Sequence, residues 1–309
     1  MNLSLPIIKT LAFFKIYNQP LTLVELKERL FVEQKTDWET LEKSLQDLLN
    51  KGVVVEDRGF FFLTGTEQAV DQRIERIFWE NSKMVIAQHA AKVLAGIPFI
   101  KLVAVCNTLS FGVSKPESDI DFFVVAKSGR LWLVRALAVF RLFMAGFYRR
   151  GSRVADKICL SFFIDDTKEN LQELLLPSAN QPDIYFIYWL TQLVPLINRE
   201  QELDKVWQAN SWLTSYLANW DFTHKAQDYR LLAPNRFKEG WRQAGEYLWG
   251  GWGGDWVERF CKKIQLLKMR SSKHSHGPKS NSSVVISDHI LKFHEDDRRE
   301  LFRKKWHDN

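Results

Sequence analysis

Two apolar runs near the middle of the chain stand on either side of a polar loop: Phe99-Ile-Lys-Leu-Val-Ala-Val-Cys106 and Asp119-Ile-Asp-Phe-Phe-Val-Val-Ala126. Each run is short and nearly continuous in apolar side chains, which is typical of a strand buried on both faces. The loop between them is Asn107-Thr-Leu-Ser-Phe-Gly-Val-Ser-Lys-Pro-Glu-Ser118. The sequence therefore predicts two strands of a buried sheet, the second of which begins with two acids.

Asp119 and Asp121 open the second strand two positions apart. Because side chains alternate along a strand, both carboxylates point to one face, about 7 Å apart along the chain. Two like charges on one face repel each other and favour a cation between them. Oxygen ligands of this kind suit Mg²⁺ or Mn²⁺, completed by substrate phosphates. On the two acids alone, a solvated strand end with two incidental acids is the simpler interpretation.

The surroundings of the two acids resemble the DNA-polymerase-beta-type nucleotidyltransferase superfamily. That family carries Gly-Ser, a loop with an internal glycine, and Ser-Asp-Ile-Asp at the start of a strand. Ser118-Asp119-Ile120-Asp121 matches the last motif letter for letter, and Gly112 matches the loop glycine. The resemblance covers residues 99–126 and extends loosely to Asp166. It implies that Asp119 and Asp121 are the catalytic residues and the ligands of Mg²⁺ or Mn²⁺.

The chain departs from the family pattern at the phosphate-binding turn, where Asn107-Thr108 replaces Gly-Ser. Thr108 keeps the hydroxyl that holds triphosphate oxygens in the family. Asn107 belongs to the few residue types that tolerate the positive φ open to glycine. The resemblance thus implies a nucleotide-binding set of four residues: Asn107, Thr108, Gly112 and Ser118.

A second departure concerns the third carboxylate, which family enzymes carry on a later strand and which helps to deprotonate the attacking hydroxyl. The matching strand is Lys157-Ile-Cys-Leu-Ser-Phe-Phe-Ile164, which holds no acid. Cys159 or Ser161 is expected in that position, and neither is a good general base beside Mg²⁺. Acids that flank the strand offer the alternative: Asp156, Asp165 and Asp166. An acid within reach of the metal favours an enzyme, whereas Cys or Ser there favours a protein that binds without efficient transfer.

The fold class predicted for the whole chain is α+β, with a small mixed nucleotidyltransferase sheet and packed helices. Five segments are expected: a winged-helix-like domain (1–65), a linker helix (66–98), a nucleotidyltransferase-like domain (99–182), a helical C-terminal region (183–270), and a flexible loop with a charged tail helix (271–309). The helical C-terminal region is expected to begin with two helices, Ile184–Leu196 and Gln201–Trp220, and the tail helix is expected over Asp288–Lys305. In the first segment, three helices precede a hairpin, an order that resembles a winged helix and leaves nucleic-acid binding and protein contact as open alternatives.

The charge of the 309-residue chain is +6, and its basic residues gather toward the end. The excess gathers in two clusters: Lys262, Lys263, Lys268, Arg270, Lys273 and Lys279, then Arg298, Arg299, Arg303, Lys304 and Lys305. Clustered basic residues attract phosphates, so nucleic acid is a predicted partner of this region or of the winged-helix-like segment. The aromatic content, with 12 Trp and 22 Phe, indicates core and interface rather than an array of stacking side chains.

The cellular setting is predicted from cysteine use and from the lack of targeting segments. Three cysteines without a CxxC motif indicate a reducing compartment, and no secretory signal is visible at the N-terminus. Arg135 and Arg141 interrupt the apolar stretch Leu131–Tyr148, which therefore predicts a buried helix rather than a transmembrane span. These features favour a cytoplasmic protein.

The primary hypothesis from the sequence is an Mg²⁺-dependent nucleotidyltransferase that moves a nucleoside monophosphate from a nucleoside triphosphate to an acceptor hydroxyl. The alternative is a catalytically degenerate regulator that binds nucleotide or nucleic acid. A third interpretation, an interaction scaffold, has only the aromatic C-terminal helices in its favour.

Overall fold

The computed structural model describes residues 2–66, 68–151, 154–177, 181–221, 230–271, 284–293 and 297–308. The helices in these ranges are α1 (Ser4–Lys15), α2 (Leu23–Glu28), α3 (Trp38–Asn50), α4 (Ala69–Leu94), α5 (Asn107–Ser110), α6 (Leu131–Met144), α7 (Ile184–Thr191), α8 (Glu202–Ala209), α9 (Arg236–Trp249), α10 (Trp252–Ser271) and α11 (Arg299–His307). The strands are β1 (Leu21–Thr22), β2 (Val54–Asp57), β3 (Phe60–Leu63), β4 (Ile100–Cys106), β5 (Ile120–Ala126), β6 (Ile158–Asp165), β7 (Val194–Asn198), β8 (Val284–Ile286) and β9 (Ile290–Phe293). None of the described helices combines the length and the apolar character needed to cross a bilayer. The fold class is mixed α+β, as predicted.

The first 65 residues form three helices and a small antiparallel sheet with the strand order β1-β3-β2. Thr22 caps α2 in a capping box with Glu25, and Asp37 caps α3 by accepting a hydrogen bond from the Thr40 amide at 2.7 Å. The predicted succession of helices and hairpin is therefore present. Nucleic-acid binding by this segment stays a prediction.

The central sheet has six strands in the order β7-β4-β5-β6-β9-β8. β5 and β6 run parallel, and the other neighbours are antiparallel. Leu102 and Ala104 of β4 point into a core shared with α1 and α7, which we call the front core. Val103 and Val105 point into the back core beneath α4 and α6. The sheet is thus the middle of three layers, which explains why its strands are apolar almost without interruption.

The charged tail differs from the helix expected over Asp288–Lys305, and that prediction is wrong in its first half. Residues 290–293 form the strand β9, and the helix α11 begins only at Arg299. The physical reason is the open edge of β6, whose backbone groups need partners. β9 supplies them, with Leu291 opposite Phe163.

Two helices predicted C-terminal to residue 183 are also shorter than expected. The helix expected over Ile184–Leu196 ends at Thr191, and the chain continues as β7 along β4. The helix expected over Gln201–Trp220 ends as α8 at Ala209, and a 3₁₀ turn follows. The central sheet therefore recruits strands from beyond residue 182. The loop predicted beyond Ser271, with Lys273 and Lys279, lies outside the described residues.

We expect the tail strand to contribute to stability as a core element. Leu291 is fully buried, whereas Leu301 on α11 is 49% exposed. Leu291→Ala should lower the free energy of unfolding by about 2–5 kcal/mol, because it removes a core side chain and leaves a cavity. Leu301→Ala is the matched control and should change it by no more than roughly 0.5 kcal/mol. Urea unfolding of both variants measures the difference, and equal small losses would contradict the placement of β9 in the sheet.

Candidate functional site

The ends of the neighbouring strands β4, β5 and β6 meet at one end of the central sheet. Cys106, the last residue of β4, lies opposite Asp121 of β5, and Asp121 lies opposite Cys159 of β6. Asp119 immediately precedes β5. One ligand atom from each of Asp119, Asp121 and Cys159 lies within 4.8 Å of the others. The register of β4, β5 and β6 therefore gathers these three side chains at the sheet edge.

The turn after β4 leads directly to the two acids. Asn107 has a φ of +57°, so the left-handed conformation expected of it is confirmed. Its side chain accepts a hydrogen bond from the Tyr185 hydroxyl at 3.2 Å and also hydrogen-bonds to Asp121. The turn thus holds Asn107 between the front core and the buried acid.

The ionised form of the Asp121 carboxyl is disfavoured in this position. Burial, and next the negative charge of Asp119, raise the pKa of Asp121 to about 6, against the lowering effect of the Asn107 and Cys159 hydrogen bonds and the Arg149 charge. Arg149 forms an ion pair with Asp119, with 2.6 Å between Nη1 and Oδ2. Arg149, which the sequence analysis did not single out, therefore supplies positive charge to the acid pair from the segment between α6 and β6.

Cys159, one of the two residues expected in the third-carboxylate position, lies beside Asp119 and Asp121, and its correspondence to that family position stays a prediction. Burial, followed by the charges of Asp121 and Asp119, raises the pKa of the Cys159 thiol to about 12, so the side chain is a neutral thiol at physiological pH. Ser161 lies next to it, with 3.5 Å between its Oγ and Asp121 Oδ1. Neither side chain brings a negative charge to the acid pair.

The three acids that flank β6 have partners other than Asp119 and Asp121. Each has a partner nearby: Asp156 pairs with Lys83 at 2.6 Å, Asp165 with His289 at 2.7 Å, and Asp166 with Lys101 at 2.7 Å. The Lys83 ammonium is buried and also donates to the carbonyl oxygens of Pro116 and Ser118 at 3.0 and 2.8 Å. Lys83 therefore holds the end of the loop that presents Asp119, and it is a positioning residue that the sequence analysis missed.

A cavity of about 270 Å³ opens beside the acid pair. Its size lies near the lower end of the range for small-molecule sites. It is lined by Tyr17, Asn107, Thr108, Ser118, Asp119, Asp121, Phe162, Tyr185, Phe186, Trp189, Lys292, Asp297, Arg298, Arg299 and Phe302. Aromatic rings of the front core form one wall, and basic side chains from the C-terminal segment form another.

The basic wall is built around a buried ion-pair network. Arg299 contacts Asp183 and Asp297, both at 2.8 Å. Burial alone would raise the pKa of Asp297, but hydrogen bonds from Arg299 and the charge of Lys292 lower it to about 2. Burial, and next the Arg299 charge, lower the pKa of Lys292 to about 8. Arg298 and Arg299 were predicted only as part of a basic cluster, because their place in the cavity depends on β9 and has no local signal in the sequence.

The sequence-predicted nucleotide residues divide into two groups. Asn107, Thr108 and Ser118 line the cavity with the two acids. Gly112 lies outside the lining, where a side chain would meet Gln19 and Glu80, and its φ of +73° serves the turn after α5. The structure therefore assembles the predicted set without Gly112.

Of the histidine pair His289 and His294, the structure describes only His289, which does not belong to a second candidate metal centre. His289 binds Asp165 at the opposite end of β6 from the acid pair, and His294 lies outside the described residues. Among the residues that the structure describes, Asp119, Asp121 and Cys159 are the one group whose ligand atoms could hold a metal ion together.

No family model, curated protein or solved structure matches this chain. The resemblance of residues 99–126 to the nucleotidyltransferases thus rests on the Ser118–Asp121 motif and on the strands that carry it.

We expect the raised pKa of Asp121 to appear as a stability cost that depends on pH. The folded state binds a proton more tightly at Asp121 than the unfolded chain does, so the cost is present above pH 6 and disappears as the pH falls toward 4. Without metal, Asp121→Asn should therefore stabilise the protein by roughly 2 kcal/mol at pH 8. The gain should vanish near pH 4. Thermal unfolding at both pH values measures it, and a destabilised variant at pH 8 would contradict the assignment.

Proposed function

We propose that this chain binds a nucleoside triphosphate together with one divalent cation, Mg²⁺ or Mn²⁺, in the cavity beside Asp119 and Asp121. The site is of the nucleotidyltransferase type, and its transfer step is weakened. The proposal is supported above all by one observation: two carboxylates, the Thr108 turn and basic side chains of the C-terminal segment line a single cavity.

The donor set fits a hard cation. Two carboxylates within reach of one ion supply oxygen ligands, and Mg²⁺ commonly takes its remaining ligands from water and phosphate. The cation would relieve the repulsion that raises the pKa of Asp121, and it would compete with Arg149 for Asp119. The neutral, soft thiol of Cys159 adds little to such a site.

The walls of the cavity fit the rest of a nucleotide. Thr108 and Ser118 offer hydroxyls to phosphate oxygens, and Lys292 and Arg298 bring positive charge to the same space. Tyr17 and Phe302 stack on each other, with ring centres 5.1 Å apart, and contribute to the apolar wall against which a base could pack.

The weakness of transfer follows from Cys159. In the family reaction an acceptor hydroxyl attacks the α-phosphorus, the bond to pyrophosphate breaks, and a base takes the hydroxyl proton. A thiol with a pKa of about 12 is protonated and cannot serve as that base at neutral pH. Transfer to an acceptor remains the second candidate function, and the preserved Asp119–Asp121 pair favours it. Nucleic acid stays a predicted partner, as acceptor or as regulatory ligand.

Metal-dependent nucleotide binding is the first test. Titration calorimetry with ATP and GTP should show binding in the presence of Mg²⁺ and its loss with EDTA. The double variant Asp119→Asn/Asp121→Asn should bind at least tenfold more weakly, a difference of about 1.4 kcal/mol or more. Asp71→Asn is the matched control, because Asp71 is an exposed acid that pairs with Arg58 at the start of α4. Binding that survives in the double variant would overturn the proposal.

Restoring the third carboxylate is the second test. Cys159→Asp should raise Mg²⁺-dependent transfer of labelled nucleotide to cellular RNA or protein about 100-fold over the wild type, because a positioned general base contributes at least that much. Cys159→Asn has nearly the same shape without the charge and should give no gain. An unchanged rate in a Cys159→Asp variant that still binds nucleotide would eliminate transfer as a latent function of this site.

A further inference from the structure

The helices α9 and α10 form a hairpin that is attached to the body of the protein by one face. On α9, Glu246 accepts a hydrogen bond from the Phe99 amide at 2.9 Å. On α10, Glu258 accepts hydrogen bonds from the amides of Trp132 and Leu133, both at 2.8 Å, and Gln265 contacts Arg135 at 2.5 Å. These hydrogen bonds from the inner faces thus fix the orientation of both helices.

The outer faces of the two helices are strongly apolar. Most of their large side chains are more than half exposed, and Trp252 and Tyr247 reach 83% and 90%. The exposed residues are Phe237, Trp241, Tyr247 and Leu248 on α9, and Trp252, Trp256, Phe260, Ile264 and Leu267 on α10. On α10 they recur mainly at intervals of four, which places them on one stripe of the helix. We call this surface, with its extension below, the aromatic face.

The aromatic face continues onto the end of α6. Phe140, Phe143 and Met144 are each more than half exposed. Phe140 and Phe143 share a surface groove with Ile264 and Lys268 of α10. The aromatic face therefore comprises twelve large apolar side chains on three helices, far more than the scattered single residues normal for a protein surface.

The exposed charges that border the aromatic face are mainly positive, and the one exposed acid of α9 and α10, Asp255, pairs with Arg130. Exposed basic residues flank the apolar stripes: Arg236, Arg259, Lys263 and Lys268 on α9 and α10, and Arg141 and Arg150 at the end of α6. The acids of α9 and α10 are engaged on the inner side: Glu239 and Glu246 with Arg242, Asp255 with Arg130, and Glu258 with backbone amides. The aromatic face thus combines exposed apolar groups with positive charge.

We propose that the aromatic face docks on the surface of an anionic phospholipid bilayer, with α9 and α10 lying in the plane of the interface. Trp and Tyr favour the headgroup region because their rings are apolar and their N–H and O–H groups remain hydrated. Lys and Arg on the flanks reach the anionic headgroups while their alkyl stems cover apolar surface. Apolar helical faces bordered by basic residues are characteristic of peripheral membrane helices.

Two other occupants fit the same surface less well. Single-stranded nucleic acid binds by stacking its bases on aromatic rings, whereas Leu248, Ile264 and Leu267 belong to the same exposed face and offer no ring. A second copy of the chain would bring the basic flanks of two identical faces together, which like-charge repulsion opposes.

Docking would leave the nucleotide cavity accessible. Val257 and Cys261 of α10 pack against the back core, whereas Phe162 and Trp189 of the cavity wall belong to the front core. The aromatic face and the cavity therefore lie on opposite sides of the central sheet. The membrane proposal does not rest on the proposed nucleotide function.

Co-sedimentation of the full chain with vesicles tests the proposal. The chain should bind vesicles of phosphatidylcholine mixed with phosphatidylserine and bind pure phosphatidylcholine at least tenfold more weakly. Trp241→Ser/Trp256→Ser/Phe260→Ser should reduce binding to the mixed vesicles at least tenfold. Lys263→Gln/Lys268→Gln should reduce it about 30-fold at low salt, because each basic residue near an anionic surface contributes roughly fivefold.

Ile74→Ser/Phe78→Ser on α4 is the matched control. These residues are 46% and 67% exposed but lie outside the aromatic face, so vesicle binding should be unchanged. Circular dichroism verifies that all variants are folded. No sedimentation of the folded wild type, or an equal loss in the α4 control, would overturn the proposal. The proposal would also be overturned if the wild type formed a dimer that the Trp241→Ser/Trp256→Ser/Phe260→Ser variant does not form. Displacement of the chain from vesicles by single-stranded RNA would overturn it as well.

Discussion

The enforced closeness of two carboxylates is the constraint on which the site depends. Asp121 is buried because β5 lies between β4 and β6, and Asp119 adds a second negative charge at the same edge. Hydrogen bonds from its neighbours and the charge of Arg149 reduce the cost without removing it, since the pKa of Asp121 stays near 6. A site that keeps such repulsion in the folded state is poised to take up a cation.

The cavity joins parts of the chain that are far apart in sequence. Tyr17 comes from the N-terminal segment, Asp121 from the sheet, and Arg299 from the C-terminal segment. The Trp306 indole N–H donates to the Lys9 carbonyl oxygen at 2.7 Å, which ties α11 to α1. The walls of the cavity are thus built where the N-terminal segment, the central sheet and the C-terminal segment pack together.

Local sequence patterns predicted the strands that carry the acids, and the family resemblance predicted the positive φ of Asn107. They failed at β9, because four residues beside a charged stretch have no period of their own, and only the unpaired edge of β6 makes them a strand. The basic wall was missed for the same reason. Composition predicted core and interface for the aromatic side chains but did not show which of them are exposed, as most of those on α9 and α10 are. Periodicity shows that a helix has two faces but does not show which one meets the protein.

The late position of β9 in the chain has a consequence for biosynthesis. During translation β4, β5 and β6 leave the ribosome well before residues 290–302, so the acid pair is assembled while the edge of β6 is still unpaired and the basic wall is absent. The nascent protein would pass through a stage with an exposed sheet edge, which is the kind of surface that chaperones protect. The cavity itself would be complete only after β9 has paired with β6, because Lys292, Arg298 and Arg299 belong to its lining.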